Sequence, residues 1–127
     1  MKFTFGKNER LTNRKDIGLL FDEGRFLVVK PLKVLYRFSD SRGNNPLKVL
    51  ITIPKRKFKH AVTRNRLRRI IREAYRLNRH LLSARLDPEK PVLMLAFIYI
   101  GDRENLTYPE VELPLKNVLL QLADELS

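Results

Sequence analysis

Residues 55–80 carry eleven Lys and Arg side chains against a single acid, Glu73. Arginine bonds phosphate oxygens through a planar two-pronged fork, stays charged at any ordinary pH and stacks on bases, so such a concentration suits a nucleic-acid backbone. Placed at about 100° per residue, Arg64, Asn65, Arg68, Arg69, Arg72, Arg76 and Arg79 share one arc of a helix. Leu67, Ile70, Ile71, Ala74, Leu77 and Leu81 share the opposite arc. A solvated helix face normally interleaves Lys with Glu at i,i+4, and here those acids are missing, so the row repels itself unless a polyanion covers it. Lys55, Arg56, Lys57 and Lys59 extend the same charge into the preceding loop.

Catalytic chemistry is harder to assemble from this chain. His60 and His80 are the only imidazoles, and neither stands in a metal-ligand spacing. The acidic pairs Asp22/Glu23, Asp87/Glu89, Asp102/Glu104 and Glu110/Glu112 fall at expected turns or helix starts, where carboxylates cap backbone N–H groups. Five glycines are scattered and form no phosphate-cradling loop, and the absence of Cys excludes thiolate sites, cysteine nucleophiles and disulfides. These features argue against a nucleotide hydrolase and against a carboxylate nuclease site carried by the protein itself.

The elements that must hold the basic row follow from periodicity. Thr12 or Asn13 caps a first helix running to about Glu23, with Ile17, Leu20 and Phe21 at i, i+3 and i+4 and Gly24 as a stop. Arg25 to Asp40 reads as two short strands or one bent strand, interrupted at Pro31. Ser41 to Pro46, dense in turn formers, reads as a hairpin connection. Leu47 to Ile53 is apolar enough for a strand buried on both faces or nearly so, giving an antiparallel sheet. The basic helix then spans about Lys59 to Leu82, and Val92 to Ile100 is a strongly apolar strand. Val111, Leu115, Val118, Leu119, Leu122 and Leu126 form a last amphipathic helix that either starts late or kinks at Pro114. The order helix, strands, helix, strand, helix is an α+β sandwich of helices against one sheet.

The size, 127 residues, fits one domain spanning 1–127, and 43% apolar content supports a real core. The net charge of +12 is unevenly placed: +6 in residues 1–54, +10 in 55–80 and −4 in 81–127. The polyanion site therefore centres on the middle segment, with the last third as scaffold. Phe21, Phe26, Tyr36, Phe38 and Phe58 lie beside the cations, a combination suited to stacking unpaired RNA bases, although most such rings are expected in the core. The longest apolar run, nine residues, is far short of the roughly 20 a spanning helix needs. That argues against the membrane, and without Cys or a secretion signal the expected location is cytoplasmic.

The run Lys59 to Arg76 resembles the signature of the protein component of bacterial ribonuclease P, matching at Ala61, Val62, Arg64, Asn65, Arg66, Arg68, Arg69, Arg72 and Tyr75. The likeness extends to Arg10, Leu11, Asp16, Phe21, Tyr36, Lys55 and Arg56. It implies an αβββαβα fold, helices on one mixed sheet, with a left-handed βαβ crossover that general handedness rules would not anticipate. It also implies binding to a large catalytic RNA, whose holoenzyme cleaves precursor tRNA to release the mature 5′ end. Mg2+ would be held mainly by the RNA, and no protein partner is obligatory. Arg64, Asn65, Arg66, Arg68, Arg69 and Arg72 would contact the RNA. Ile17, Phe21, Tyr36, Lys55 and Arg56 would line a cleft for the single-stranded 5′ leader. Two departures bear on that cleft: Ile17 stands where many relatives have an aromatic, and Pro54 where they often have Ser. The rival readings are a structural RNA-binding protein with no part in cleavage, a DNA-binding helix-turn-helix protein and a self-sufficient metal-dependent nuclease. The long Arg row lacks the mixed polar residues of a base-reading helix.

Overall fold

The computed structural model describes residues 9–40, 46–87 and 89–126. Helix α1 covers Arg14–Glu23, strands β1 Arg25–Val29, β2 Leu32–Phe38 and β3 Leu47–Thr52, helices α2 Ala61–Asn78 and α3 His80–Ser83, strand β4 Leu93–Tyr99 and helix α4 Tyr108–Leu126. The α+β order and the mixed sheet agree with the expectation, with the short α3 as an addition after a break at Arg79.

The strand order is β1-β2-β4-β3, antiparallel except for the parallel pair β3 and β4. The expected β2–β3 hairpin is therefore wrong. Ser41–Asn45 lie outside the described residues, but β4 stands between the two strands, entering after the α2 crossover. Turn formers signal a change of direction and not a pairing partner. Nor is β3 buried on both faces. It is an edge strand whose Lys48, Leu50, Ile51 and Thr52 are half-buried. The true double-faced strand is β4, where every residue but Ile98 is buried. Arg25 to Phe38 forms two strands, joined across a cis Lys30–Pro31 bond.

Alternation along the strands divides the apolar side chains between two layers. Leu35, Met94 and Ala96 face α1 and pack with Leu11 and Leu20. Val34, Tyr36, Val49, Leu93, Leu95 and Phe97 face the other way, onto Leu67, Ile71, Ala74 and Tyr75 of α2 and Val111, Leu115, Val118 and Leu122 of α4. Each fully buried side chain of this size contributes about 1.5–3 kcal/mol, so the larger layer is the main source of stability. In α4 the helix begins at Tyr108, well before Pro114, instead of starting late. Glu110 closes the first turn there: its carboxylate accepts from the Thr107 backbone N–H at 3.2 Å and from the Thr107 hydroxyl at 2.8 Å.

Candidate nucleic-acid interface

The basic row lies on α2, whose buried residues are Leu67, Ile71, Ala74, Tyr75 and Asn78, the last two outside the expected apolar arc. Tyr75, which falls within the Arg arc by angle, is fully buried with its ring 5.6 Å from Phe97. The buried arc is therefore wider, and the arginines at its borders turn back onto the protein. Arg64 donates to the carbonyls of Phe58 and Lys59, both at 2.8 Å. Arg66, at the other border, donates to the carbonyls of Glu104 and Leu106 at 2.9 and 2.8 Å, fastening α2 to the segment before α4. Arg79 forms an ion pair with Glu9, and Arg76 one with Glu73. The Arg76 hydrogen bond holds the Glu73 carboxyl below its ordinary pKa.

Between these borders the outward-facing set is Asn65, Arg68, Arg69 and Arg72. Arg68 donates to the Asn65 side chain at 3.1 Å, which fixes its direction from one turn back. Asn65 and Arg69 are exposed and Arg72 is half-buried. Among the described residues, Arg69 and Arg72 have no hydrogen-bond or ion-pair partner. With like charges at i,i+4 costing a few tenths of a kcal/mol, Arg68 and Arg72 are held together against mild repulsion.

Arg68 and Arg72 also line a groove of about 220 Å3 with Arg10, Leu11, Thr12 and the outer edge of β3 at Val49, Leu50 and Ile51. The segment before α1 reaches that edge because Arg10 bridges to Val49 and the Leu11 N–H donates to the Val49 carbonyl at 2.9 Å. Arg10 was absent from the expected contact set. The Arg-Leu pair just ahead of the first helix was its only signal.

The loop Lys55–Lys59 is built for presentation. Phe58 is buried against Tyr99 with ring centroids 5.5 Å apart, and its N–H donates to the Pro54 carbonyl at 3.1 Å. That tether leaves Lys55 and Arg56 exposed, while Lys57 reaches Asp102 at 2.7 Å and holds its carboxyl below the usual range.

Of the residues expected in the leader cleft, Ile17 and Phe21 lie on α1. Ile17 is half-buried against the Leu11–Leu20 layer, and Phe21 is 45% exposed. Tyr36 does not join them. It is buried on the opposite face of the sheet, and its hydroxyl donates to Glu125 at 2.5 Å. Strand parity explains the miss: the neighbours Leu35 and Arg37 take the α1 side. Phe26, 59% exposed with the Lys33 ammonium 4.8 Å from its ring centre, is the exposed aromatic on that side, since it pairs with Leu35. None of the five expected cleft residues lines the Arg10 groove.

Carboxylates do not converge. Among the described residues no group of three or more His, Asp and Glu could hold a metal ion. No helix of the described residues is long and apolar enough to cross a membrane.

Two-layered α+β packing that turns its border arginines inward and leaves a central row facing outward defines a small basic domain with one face suited to a polyanion. The sequence model of the ribonuclease P family matches residues 5–122, and the chain belongs to that family. It is 38% identical over 122 residues to the ribonuclease P protein component of Porphyromonas gingivalis, covering 94% of this chain and 88% of that one. With the corresponding protein of Chlorobium phaeobacteroides it shares 36% over 115 residues, 84% of this chain and 77% of that one. The fold is similar to that of the ribonuclease P protein from Thermotoga maritima, with TM-score 0.69, 25% identity and coverage of 89% and 96%. The Staphylococcus aureus protein shares the fold at TM-score 0.69, covering 89% of this chain and 94% of that one.

Proposed function

We propose that this chain is the protein subunit of the ribonuclease P ribonucleoprotein, and that it binds the catalytic RNA and the 5′ leader of precursor tRNA. The observation that carries this is the outward row Arg68, Arg69 and Arg72 on α2, two of them without a protein partner among the described residues, on a chain of the ribonuclease P family. Two polyanions, the RNA and its substrate, repel each other, and a +12 protein between them lowers that cost. Asn65, Arg68, Arg69 and Arg72 contact RNA phosphates. Arg64 and Arg66 act mainly by fixing the loop and helix that present them.

The α1 side of the sheet, with Ile17 and Phe21, takes the unpaired leader, whose bases stack on exposed rings, and the exposed Lys55 and Arg56 meet its phosphates. The Mg2+ that the reaction needs is assigned to the RNA. The carboxylates here are dispersed in caps and ion pairs and do not fit an ion, so no step is routed through the protein. Endonucleolytic removal of the leader, a hydrolysis, then takes place in the RNA, and a chain that processes tRNA works in the cytoplasm without an obligatory protein partner.

The test is cleavage of 5′-labelled precursor tRNA at low magnesium by protein alone, bacterial ribonuclease P RNA alone and the two combined. Correct 5′ processing that is strongest in the combination is expected. Cleavage by protein alone overturns the assignment of chemistry to RNA. A competent RNA that gains nothing from the protein moves the reading to a structural RNA-binding role.

A further inference from the structure

Glu9 is the acid immediately before Arg10, which lines the groove with Arg68 and Arg72. Its carboxylate forms an ion pair with Arg79, just past the end of α2, and the two side chains are only 18% and 13% exposed. Other ion pairs are far more open, such as Arg103–Glu110 at 54% and 36%. Burial shields the Glu9 pair from salt, so it holds where exposed pairs contribute little. The Tyr75 hydroxyl lies beside it, pushed far above its ordinary pKa by burial first and by the Glu9 charge second. Two residues along, Leu11 is 2% exposed and its N–H is bonded to Val49. Arg10 sits between these two anchors, in the groove with Arg68 and Arg72.

We propose that Glu9 is a positioning residue for RNA binding: its ion pair with Arg79 pins the segment before α1 so that Arg10 joins Arg68 and Arg72 in one phosphate-binding groove. This rests on the reading that the groove takes RNA. Arg79, one of the arginines of the basic arc, then serves the RNA through Glu9 instead of touching it.

A carboxylate acting through charge alone repels RNA, and removing it would tighten binding. Positioning gives the opposite sign. Affinity for ribonuclease P RNA is measured against salt for the full chain and for Glu9→Gln, Glu9→Asp, Arg10→Gln, the Glu9→Gln/Arg10→Gln double variant and the charge swap Glu9→Arg/Arg79→Glu. Each is assayed well below its own Tm, and exchange of the Leu11 amide hydrogen is followed in parallel.

Glu9→Gln is expected to weaken binding by about fivefold near 0.1 M salt and to flatten the slope of log K against log salt by about 0.7–0.9, the loss of one phosphate contact. Arg10→Gln does the same, and the double variant loses no more. Leu11 exchange rises in Glu9→Gln, and the swap restores both affinity and slope. Glu9→Asp keeps the net charge, so weaker binding by it is positional. Unchanged or tighter binding by both Glu9 variants overturns the positioning role. An Arg10→Gln chain that binds like the unaltered one overturns the groove itself, one step earlier.

Discussion

A guanidinium can hold a fold together or hold a ligand, and on α2 the choice is made by angle. Arg66 lies at the border of the buried arc and bonds two carbonyls ahead of α4, whereas Arg69 projects into solvent. Arg66→Ala should lower stability by about 1–2 kcal/mol, since two hydrogen bonds from a charged group are lost at a half-exposed site. Arg69→Gln should leave Tm unchanged and reduce RNA affinity, with a salt slope smaller by about 0.7–0.9. Thermal melts and RNA titrations on the pair separate the two roles, and a stability loss in Arg69→Gln would contradict the assignment. Tyr36 yields a prediction of the same kind. Its hydroxyl bonds Glu125 on the face away from α1, so Tyr36→Phe should cost about 1 kcal/mol. Its affinity for precursor tRNA should not change with leader length any differently from the unaltered protein.

At the level of elements, the junction of α1 and β1 is the tightest constraint on the α1 layer. Asn13 accepts from the N–H groups of Lys15 and Asp16 at 2.9 and 3.1 Å and starts the helix. Gly24 ends it by donating its own N–H to the Leu20 carbonyl at 2.9 Å. A Cβ at Gly24 would run into that carbonyl oxygen and crowd the Leu20 side chain, and Leu20 is a fully buried member of the α1 layer. Gly24→Ala should therefore destabilise by about 1–3 kcal/mol, as overpacking does. Because α1 carries Ile17 and Phe21, leader binding should weaken along with it, measured by denaturant unfolding and by affinity for leader-bearing substrate.

Across the whole molecule, electrostatics and burial act at different ends of the pH scale. Burial raises the pKa of Tyr108 to about 12, with the Glu112 hydrogen bond adding to it, and burial likewise raises Tyr36, Tyr75 and Tyr99. The folded state thus holds these phenol protons more tightly than the unfolded chain, whose tyrosines titrate near 10. Their contribution is fully present below pH 10 and is lost as pH rises toward 12 and beyond. Unfolding that sets in above pH 10, in step with phenolate absorbance, is the expected result, and phenolates forming near 10 without unfolding would refute it. RNA binding, in contrast, should follow salt: with Arg10, Arg68, Arg69 and Arg72 each on a phosphate, the slope of log K against log salt is about −3 to −4.

The basic row, a cap at Thr12 or Asn13 with the stop at Gly24, and the apolar run of β4 were legible in the sequence because each is a local signal: spacing at 3.6 residues, a capping side chain, an unbroken apolar stretch. So was the family signature from Ala61 to Tyr75. Pairing of β3 with β4 instead of β2, the face taken by Tyr36 and the Glu9–Arg79 pair were not legible. Each depends on contacts between segments far apart in the chain, which no local spacing encodes. The sequence by itself determined that a dense arginine face would exist. Tertiary structure decided which of those arginines meet the protein and which meet solvent, because burying Tyr75 moved the border of the helix's apolar face and the border residues took the nearest carbonyls and carboxylates.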